Sequence, residues 1–466
     1  MDPSSSSNLL RSLPSVDRLL RALLPIPGLP APLATEFIRR SVQSWRQQAS
    51  SGSPPPSFDE AVASLHNDLT SLARSRIQPV INATGILIHT NLGRSPLAAS
   101  IAHHVASVAS SYHNLEFNLD SGSRGPRGRF LEESLTLLAG AEAATVVNNC
   151  AAALVLILRH FTSPDRPEVI ISRSQLVEIG GGFRIPEIME TSGASLREIG
   201  TTNRTSADDY RRAISPRTAL ILRVHRSNFY IEGFTGEPSL AELAAIAREH
   251  HIPLAEDLGS GAITDTAQFA GLTHEPTAAE SLAAGADLVC TSGDKLFGGP
   301  QSGLIFGRTP LVQALKRDPL FRALRCDRLA FIALQETAAA CLDAGLGAIP
   351  HAIPLMAMLS TSPDALADRA STLAASLQDL PADFSVVPTE SQCGGGTMPK
   401  SAIPSMALRV LPHQISPDTL AQRLRMGSPP VTARIADHAL VCDLRTVFPR
   451  EDSQLAAALR SALGHA

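Results

Sequence analysis

The stretch TSGDKLFGGPQSGLIFG, residues 291–307, carries Asp294 and Lys295 side by side between two apolar runs patterned as buried strands. A lysine there is costly as a cation, because burial disfavours the charged form. The same burial lowers its pKa and makes the free amine available as a nucleophile or base. Upstream, IPLAEDLGSG ends an apolar strand at Asp257. Earlier still, TVVNNCAAAL reads as a strand, a small polar turn through Asn149 and Cys150, and the start of a helix. His225 in RVHRSNFYIEG stands at another strand end. Two readings of it are balanced: a residue facing a bound ring or moving a proton, and a core histidine bonded to backbone. His103-His104 and His250-His251 fall within or at the ends of helical stretches and read as surface residues without a role.

Lysine, strand-end acid and helix N-terminus together are what a pyridoxal-phosphate site of the aspartate-aminotransferase kind requires. Lys295 forms the Schiff base. Asp257 keeps the pyridine nitrogen protonated so that the ring takes up electrons, and the helix start at Asn149 and Cys150 receives the phosphate. The chain has no GxGxxG or GxxxxGK[ST] stretch for a nucleotide, and no HxxxH or Cys/His cluster for a metal. The expectation is one pyridoxal-phosphate cofactor and no metal.

The elements that must position these groups follow from the hydropathy pattern. From residue 76 to about 320, strand-like runs (ATVVNN, EVIIS, TALILRVH, IPLAED, ADLVCTS, GLIFG) alternate with helical ones such as CAAALVLILRHF and SLAELAAIAREHH. In the last of these Leu240, Leu243 and Ile246 recur at helical spacing and face a core. Such alternation predicts an α/β domain with a mostly parallel sheet and functional groups at strand ends. Residues 1–75 predict a small helical module: SVDRLLRALL and ATEFIRRSVQSWRQQ form two short helices, and ASSGSPPPSFDE is a linker or long turn. Residues 321–466, with a CGGGTMPK turn and the strands SMALRV and HALVCDLRTV, predict a smaller α+β domain.

With 466 residues, 44% hydrophobic and 18% charged, the chain is globular and large enough for several domains. Its net charge of −4 announces neither nucleic acid nor membrane. Cys150, Cys290, Cys326, Cys341, Cys393 and Cys442 lack CxxC spacing and read as reduced. No apolar run is long enough to span a bilayer, and polar residues interrupt the N-terminal runs, so a cytoplasmic location is expected.

Taken together, LPSVDRLL, INATGILIHTNLGRSPL, YHNLEFNLDSGSRGPRG, EIGGGFRIPEIM, GTTNRT, EDLGSG, SGDKLFGGPQSGLI, DPLFRALRCDRL and GSPPVTARIADHALVCDLRT resemble the bacterial selenocysteine synthases, the L-seryl-tRNA(Sec) selenium transferases, over nearly the whole chain. The resemblance implies a fold type I pyridoxal-phosphate enzyme, a homodecamer built as a pentamer of dimers. It implies conversion of serine esterified to the selenocysteine tRNA, through an aminoacrylyl intermediate, with selenophosphate as donor. It also implies that Lys295 carries the cofactor with Asp294 beside it in the catalytic pair. Arg94, Arg322 and Arg325 would hold the donor's phosphate, for which planar guanidinium groups are suited. Arg434 in TARIAD has no assigned task, since the carboxylate it would bind in a free amino acid is an ester here.

Two other readings compete. A related lyase acting on a small phosphorylated amino sugar or amino acid would share the lysine and arginines but has no reason to carry the N-terminal module. A non-catalytic regulator would need a DNA-binding element, and residues 1–75 show no helix-turn-helix with a basic recognition helix, so no DNA partner is expected. In the first fifty residues Arg11, Arg18, Arg21, Arg39, Arg40 and Arg46 stand against Asp2, Asp17 and Glu36, a local positive excess suited to a tRNA backbone.

Overall fold

The computed structural model describes residues 9–10, 12–179 and 182–464; Asp2, Arg11, Gly180 and Gly181, drawn on above, lie outside them. The chain divides into two compact units, Met1–Pro79 and Val80–Ala466.

Among its described residues the first unit has the helices α1 (Val16–Leu23), α2 (Ala31–Ser50) and α3 (Phe58–Arg74). Leu19, Leu23, Ile38, Val42, Leu65 and Leu69 recur at helical spacing and pack into one small core. Arg18, Arg21, Arg39, Arg40 and Arg46 are all exposed. The segment expected as a linker is shorter than its composition suggested. Ala49 and Ser50 still belong to α2, and α3 begins at Phe58. The reason is a capping box: Ser57 Oγ accepts from Glu60 N at 3.3 Å, while the Ser57 N–H donates to Glu60 Oε2 at 2.8 Å. Two orphan donors of the helix start are satisfied reciprocally, so the Ser/Pro-rich stretch ends in a helix rather than continuing as a turn.

The second unit is built on two sheets. Five strands of the large sheet are β2 (Ala143–Val147), β3 (Glu168–Ser172), β4 (Ser195–Ile199), β5 (Thr218–Val224) and β6 (Leu254–Asp257). The remaining two are β7 (Leu288–Ser292) and β8 (Gly303–Gly307), and the spatial order is β2-β8-β7-β6-β5-β3-β4. Only β8 runs antiparallel to its neighbours. Alternate residues of these strands feed different cores. Ile170, Ile221, Val289 and Leu304 pack on one face with α4 (Arg129–Ala139) and α6 (Leu240–Glu249), and Val169, Leu222, Cys290 and Ile305 on the other under α5 (Cys150–Phe161). Both faces being covered is why the strands read as continuous apolar runs. Leu240, Leu243 and Ile246 are buried in the first of these cores.

The small sheet has the order β1 (Ile81–Ala83), β11 (Val431–Ala436), β12 (Ala439–Asp443), β10 (Ile403–Pro412), β9 (Ala382–Ser391). Two elements cross the division expected at residue 320. Strand β1 pairs in parallel with β11, Ile81 opposite Val431. Helix α8 (Arg328–Ala344) sends Phe331, Leu334 and Ala338 into the core of the large sheet. Neither pairing has a local signal, because both partners are remote in the chain.

Leu254 is fully buried at the start of the strand that ends in Asp257. Leu254→Ala should lower the urea midpoint of the second unit by the equivalent of about 2–5 kcal/mol without changing the m-value, as followed by far-UV circular dichroism.

Candidate active site

The C-terminal ends of β2, β5, β6 and β7 lie along one edge of the large sheet, and the residues singled out by sequence follow them. Beyond β7 the chain turns at Gly293 and Asp294 and presents Lys295. That loop is pinned by backbone bonds from Gly293 N to Ser302 O (2.9 Å), Leu296 N to Ser260 O (3.0 Å) and Gly298 N to Lys295 O (2.9 Å). Gly261 permits the close approach: it has φ +77, and a Cβ there would come within 2.3 Å of Ser292 O. The chain contains three lysines, Lys295, Lys316 and Lys400. Lys316 is paired with Glu132 and Lys400 with Glu232, whereas Lys295 is only 7% exposed. Burial above all pushes the Lys295 amine below its ordinary pKa; Cys150 opposes the shift, the Arg94 guanidinium adds to it, and Asp257 and Asp294 oppose it more weakly.

Asp257, also 7% exposed, has its pKa raised by burial. Neighbours restrain the rise: the Cys150 thiol donates to Oδ1 at 3.4 Å, and Lys295, the Cys290 thiol and His225 favour the carboxylate. The Cys290 thiol is itself pushed well up, first by its hydrogen bond with Cys150 and then by burial. A Cβ placed on Gly259 would lie 3.7 Å from Ser227 Oγ and 3.9 Å from both Asp257 Oδ1 and Lys295 Nζ. Three polar groups thus face one gap that glycine leaves open.

Asn149 caps α5: its Oδ1 accepts from Ala152 N at 2.8 Å. The first N–H groups of the helix, at Cys150 and Ala151, remain available to an anion by the geometry of any helix start. His225 is fixed at both ends. Its N–H donates to Asp257 O at 2.8 Å, and its ring Nε2 lies 3.0 Å from Glu275 Oε1. It stands beside the acid while its ring is engaged by a buried carboxylate.

The three arginines occupy two places. Arg94, at φ +64, donates from Nη1 to Asp294 Oδ2 at 2.8 Å, next to Lys295. Arg325 instead lies 3.4 Å from Glu116 Oε1. The same carboxylate also receives Arg127 at 2.9 Å and Arg124 at 3.0 Å. Three guanidinium groups around one carboxylate leave this corner strongly positive, and the side-chain bond from Arg127 in particular holds the Glu116 carboxyl below its usual range. Arg322 is exposed on the short helix α7 (Pro319–Leu324). The end of α7 is tied to the turn before α5, where Asn148 N donates to Leu324 O at 2.9 Å. Arg434 donates to Thr389 Oγ1 within the small sheet.

Sequence reasoning passed over Arg124, Arg127, Ser227, Glu275 and Cys290. The two arginines had a signal, a pair in the Gly/Pro-rich SRGPRG; Cys290 had none, since it reads as an ordinary apolar strand residue.

A buried amine, a buried acid at the adjacent strand end, a gap beside both at Gly259 and a helix start whose first N–H groups are left to an anion form the donor set that pyridoxal phosphate needs, and the residues present fit it. Among solved structures the chain resembles a D-glucosaminate-6-phosphate ammonia-lyase with TM-score 0.57 and 22% identity, over 84% of this chain and 97% of that one. The fold is that of the aspartate-aminotransferase-like, fold type I pyridoxal-phosphate enzymes, and pyridoxal phosphate is the cofactor. Curated L-seryl-tRNA(Sec) selenium transferases from Solidesulfovibrio magneticus and Moorella thermoacetica are 43% and 42% identical, each over 98% of both chains. That from Aquifex aeolicus is 38% identical over 95% of this chain and 96% of its own. The family model for L-seryl-tRNA selenium transferase matches residues 80–448, and the chain belongs to that family.

Proposed function

We propose that this enzyme converts L-seryl-tRNA(Sec) into L-selenocysteinyl-tRNA(Sec), taking selenium from selenophosphate. The observation that carries the reading is the extent of the likeness to the curated transferases. A match over 98% of both chains takes in the N-terminal helices as well as the catalytic unit. The lyase whose fold is shared supplies the rival reading, a small phosphorylated substrate, but at 22% identity it speaks for the fold alone.

What pyridoxal phosphate supplies when held here is an electron sink for the bond broken at the seryl α-carbon. Asp257 would keep a proton on its ring nitrogen, and the first N–H groups of α5 would hold its phosphate. Burial above all pushes the Lys295 amine below its ordinary pKa, which suits it to take the α-proton and later return it. Its burial keeps water from the carbon that loses the β-hydroxyl. Asp294, anchored by Arg94, sets the loop that aims Lys295. Arg322 and Arg325, with the positive excess around Glu116, hold the donor's phosphate, and Arg94 completes the set from the lysine side. The exposed arginines of the first unit contact the tRNA backbone. We assign the working form as a homodecamer, a pentamer of dimers, acting in the cytoplasm, where its charged tRNA is made.

Four outcomes test this. Borohydride should trap pyridoxal phosphate on Lys295 and on neither Lys316 nor Lys400. In Arg94→Ala the trapping should require higher pH, because loss of the cation and release of the Asp294 carboxylate both raise the Lys295 pKa; an unchanged or lower pH would break the link. Arg325→Ala and Arg322→Ala should each raise the selenophosphate requirement about 10- to 150-fold, the equivalent of about 1.5–3 kcal/mol for a charged hydrogen bond, while sparing tRNA affinity. Equal loss of tRNA binding would refute that division. A protein beginning at Val80 should still trap the cofactor on Lys295 but lose most of its affinity for the selenocysteine tRNA at a stated salt concentration. Undiminished tRNA binding would remove the role given to the helices, and no specific binding by the full chain would favour the lyase.

A further inference from the structure

Parallel pairing sets Asp257, the last residue of β6, directly beside Cys290 of β7. The face of the sheet on which Cys290 lies is covered by α5, whose first residue is Cys150. Two thiols and a carboxylate from three separate elements therefore meet at one point. Cys150 Sγ, Cys290 Sγ and a carboxylate oxygen of Asp257 all lie within 4.8 Å of one another, with Cys150 Sγ 3.4 Å from Oδ1. Cys290 is 1% exposed and Asp257 7%.

A tetrahedral zinc ion with metal–sulfur bonds of about 2.3 Å spaces its donors about 3.8 Å apart. The three atoms are already within about an ångström of that spacing. The donor types select the ion class: two thiols and one carboxylate suit a thiophilic divalent cation. They do not suit magnesium or calcium, which need six or more oxygens. Three protein donors leave a fourth tetrahedral position to a water.

We propose that, in the cofactor-free protein, Cys150 Sγ, Cys290 Sγ and the Asp257 carboxylate bind one thiophilic divalent cation of the zinc and cadmium class. Binding displaces the two thiol protons to solvent and forms two metal–sulfur bonds and one metal–oxygen bond, with no change of oxidation state. Since Asp257 also partners the cofactor ring, cation and pyridoxal phosphate exclude each other, and each lowers the other's apparent affinity by the same factor. The exclusion rests on the cofactor reading given above; the cation site itself does not, and nothing in it depends on tRNA or selenium.

Cadmium chloride added to the full-length, cofactor-free enzyme should produce the ultraviolet thiolate-to-cadmium charge-transfer absorption, saturating at one equivalent. Cys290→Ala and Cys150→Ala should each lower the affinity at least tenfold, and the double variant should abolish the absorption, with far-UV circular dichroism unchanged in all three. Absence of the absorption in the unaltered protein, or its persistence in the double variant through Cys326, Cys341, Cys393 or Cys442, would overturn the site. Enzyme already trapped with pyridoxal phosphate by borohydride should give no such absorption. Equal cadmium affinity with and without the trapped cofactor would overturn the exclusion while leaving the site in place, and so separates the two claims.

Discussion

Holding an amine and a carboxylate together out of water, at the ends of neighbouring strands, is the constraint from which the rest of this molecule follows. Lys295 and Asp257 are each 7% exposed, and burial of either charge alone is costly. The protein meets that cost in two ways. Burial moves the amine toward its neutral form, and the acid is met by two thiol donors, Cys150 and Cys290, with Lys295 and His225 nearby favouring the carboxylate. The large sheet exists to hold these few groups rigid, because a parallel sheet covered on both faces delivers its strand ends to one edge with little freedom.

The glycines of EDLGSG belong to the same constraint. Gly261 lets the turn after β6 approach Ser292 O, at the end of β7, to a distance no side chain would permit, and Gly259 lies beside both Asp257 and Lys295. Asp294 is held by Arg94, which arrives from 200 residues away in sequence and takes a left-handed backbone to do so. A residue that strained is kept when its side chain is worth the cost. Here it both anchors the loop and depresses the basicity of Lys295.

Positive charge is placed in two ways that suit two kinds of phosphate. Around Glu116 three guanidinium groups share one carboxylate, a preorganised cluster suited to a small anion that must be gripped in one orientation. On the helices of the first unit the arginines are dispersed and exposed, with Arg40 paired to Glu36 within its own helix. Dispersed exposed charge suits a long polyanion, whose recognition depends on shape and summed weak contacts.

By itself the sequence singled out the buried Lys295, the strand-end Asp257, the helix that follows Asn149, and the α/β character of the core. These are legible because burial periodicity, strand-ending acids and helix starts are local. Ser57 and Glu60 show that a local signal can also be overlooked when composition is read first. Only the tertiary structure decided that Cys290 stands against Asp257, that Arg325 joins Arg124 and Arg127 on Glu116, and that β1 completes a sheet made from the far end of the chain. The period of a strand says which side chains share a face, but not which strand will lie beside it. That choice is made by pairing register and crossover between segments far apart in sequence, where no residue carries the address of its partner.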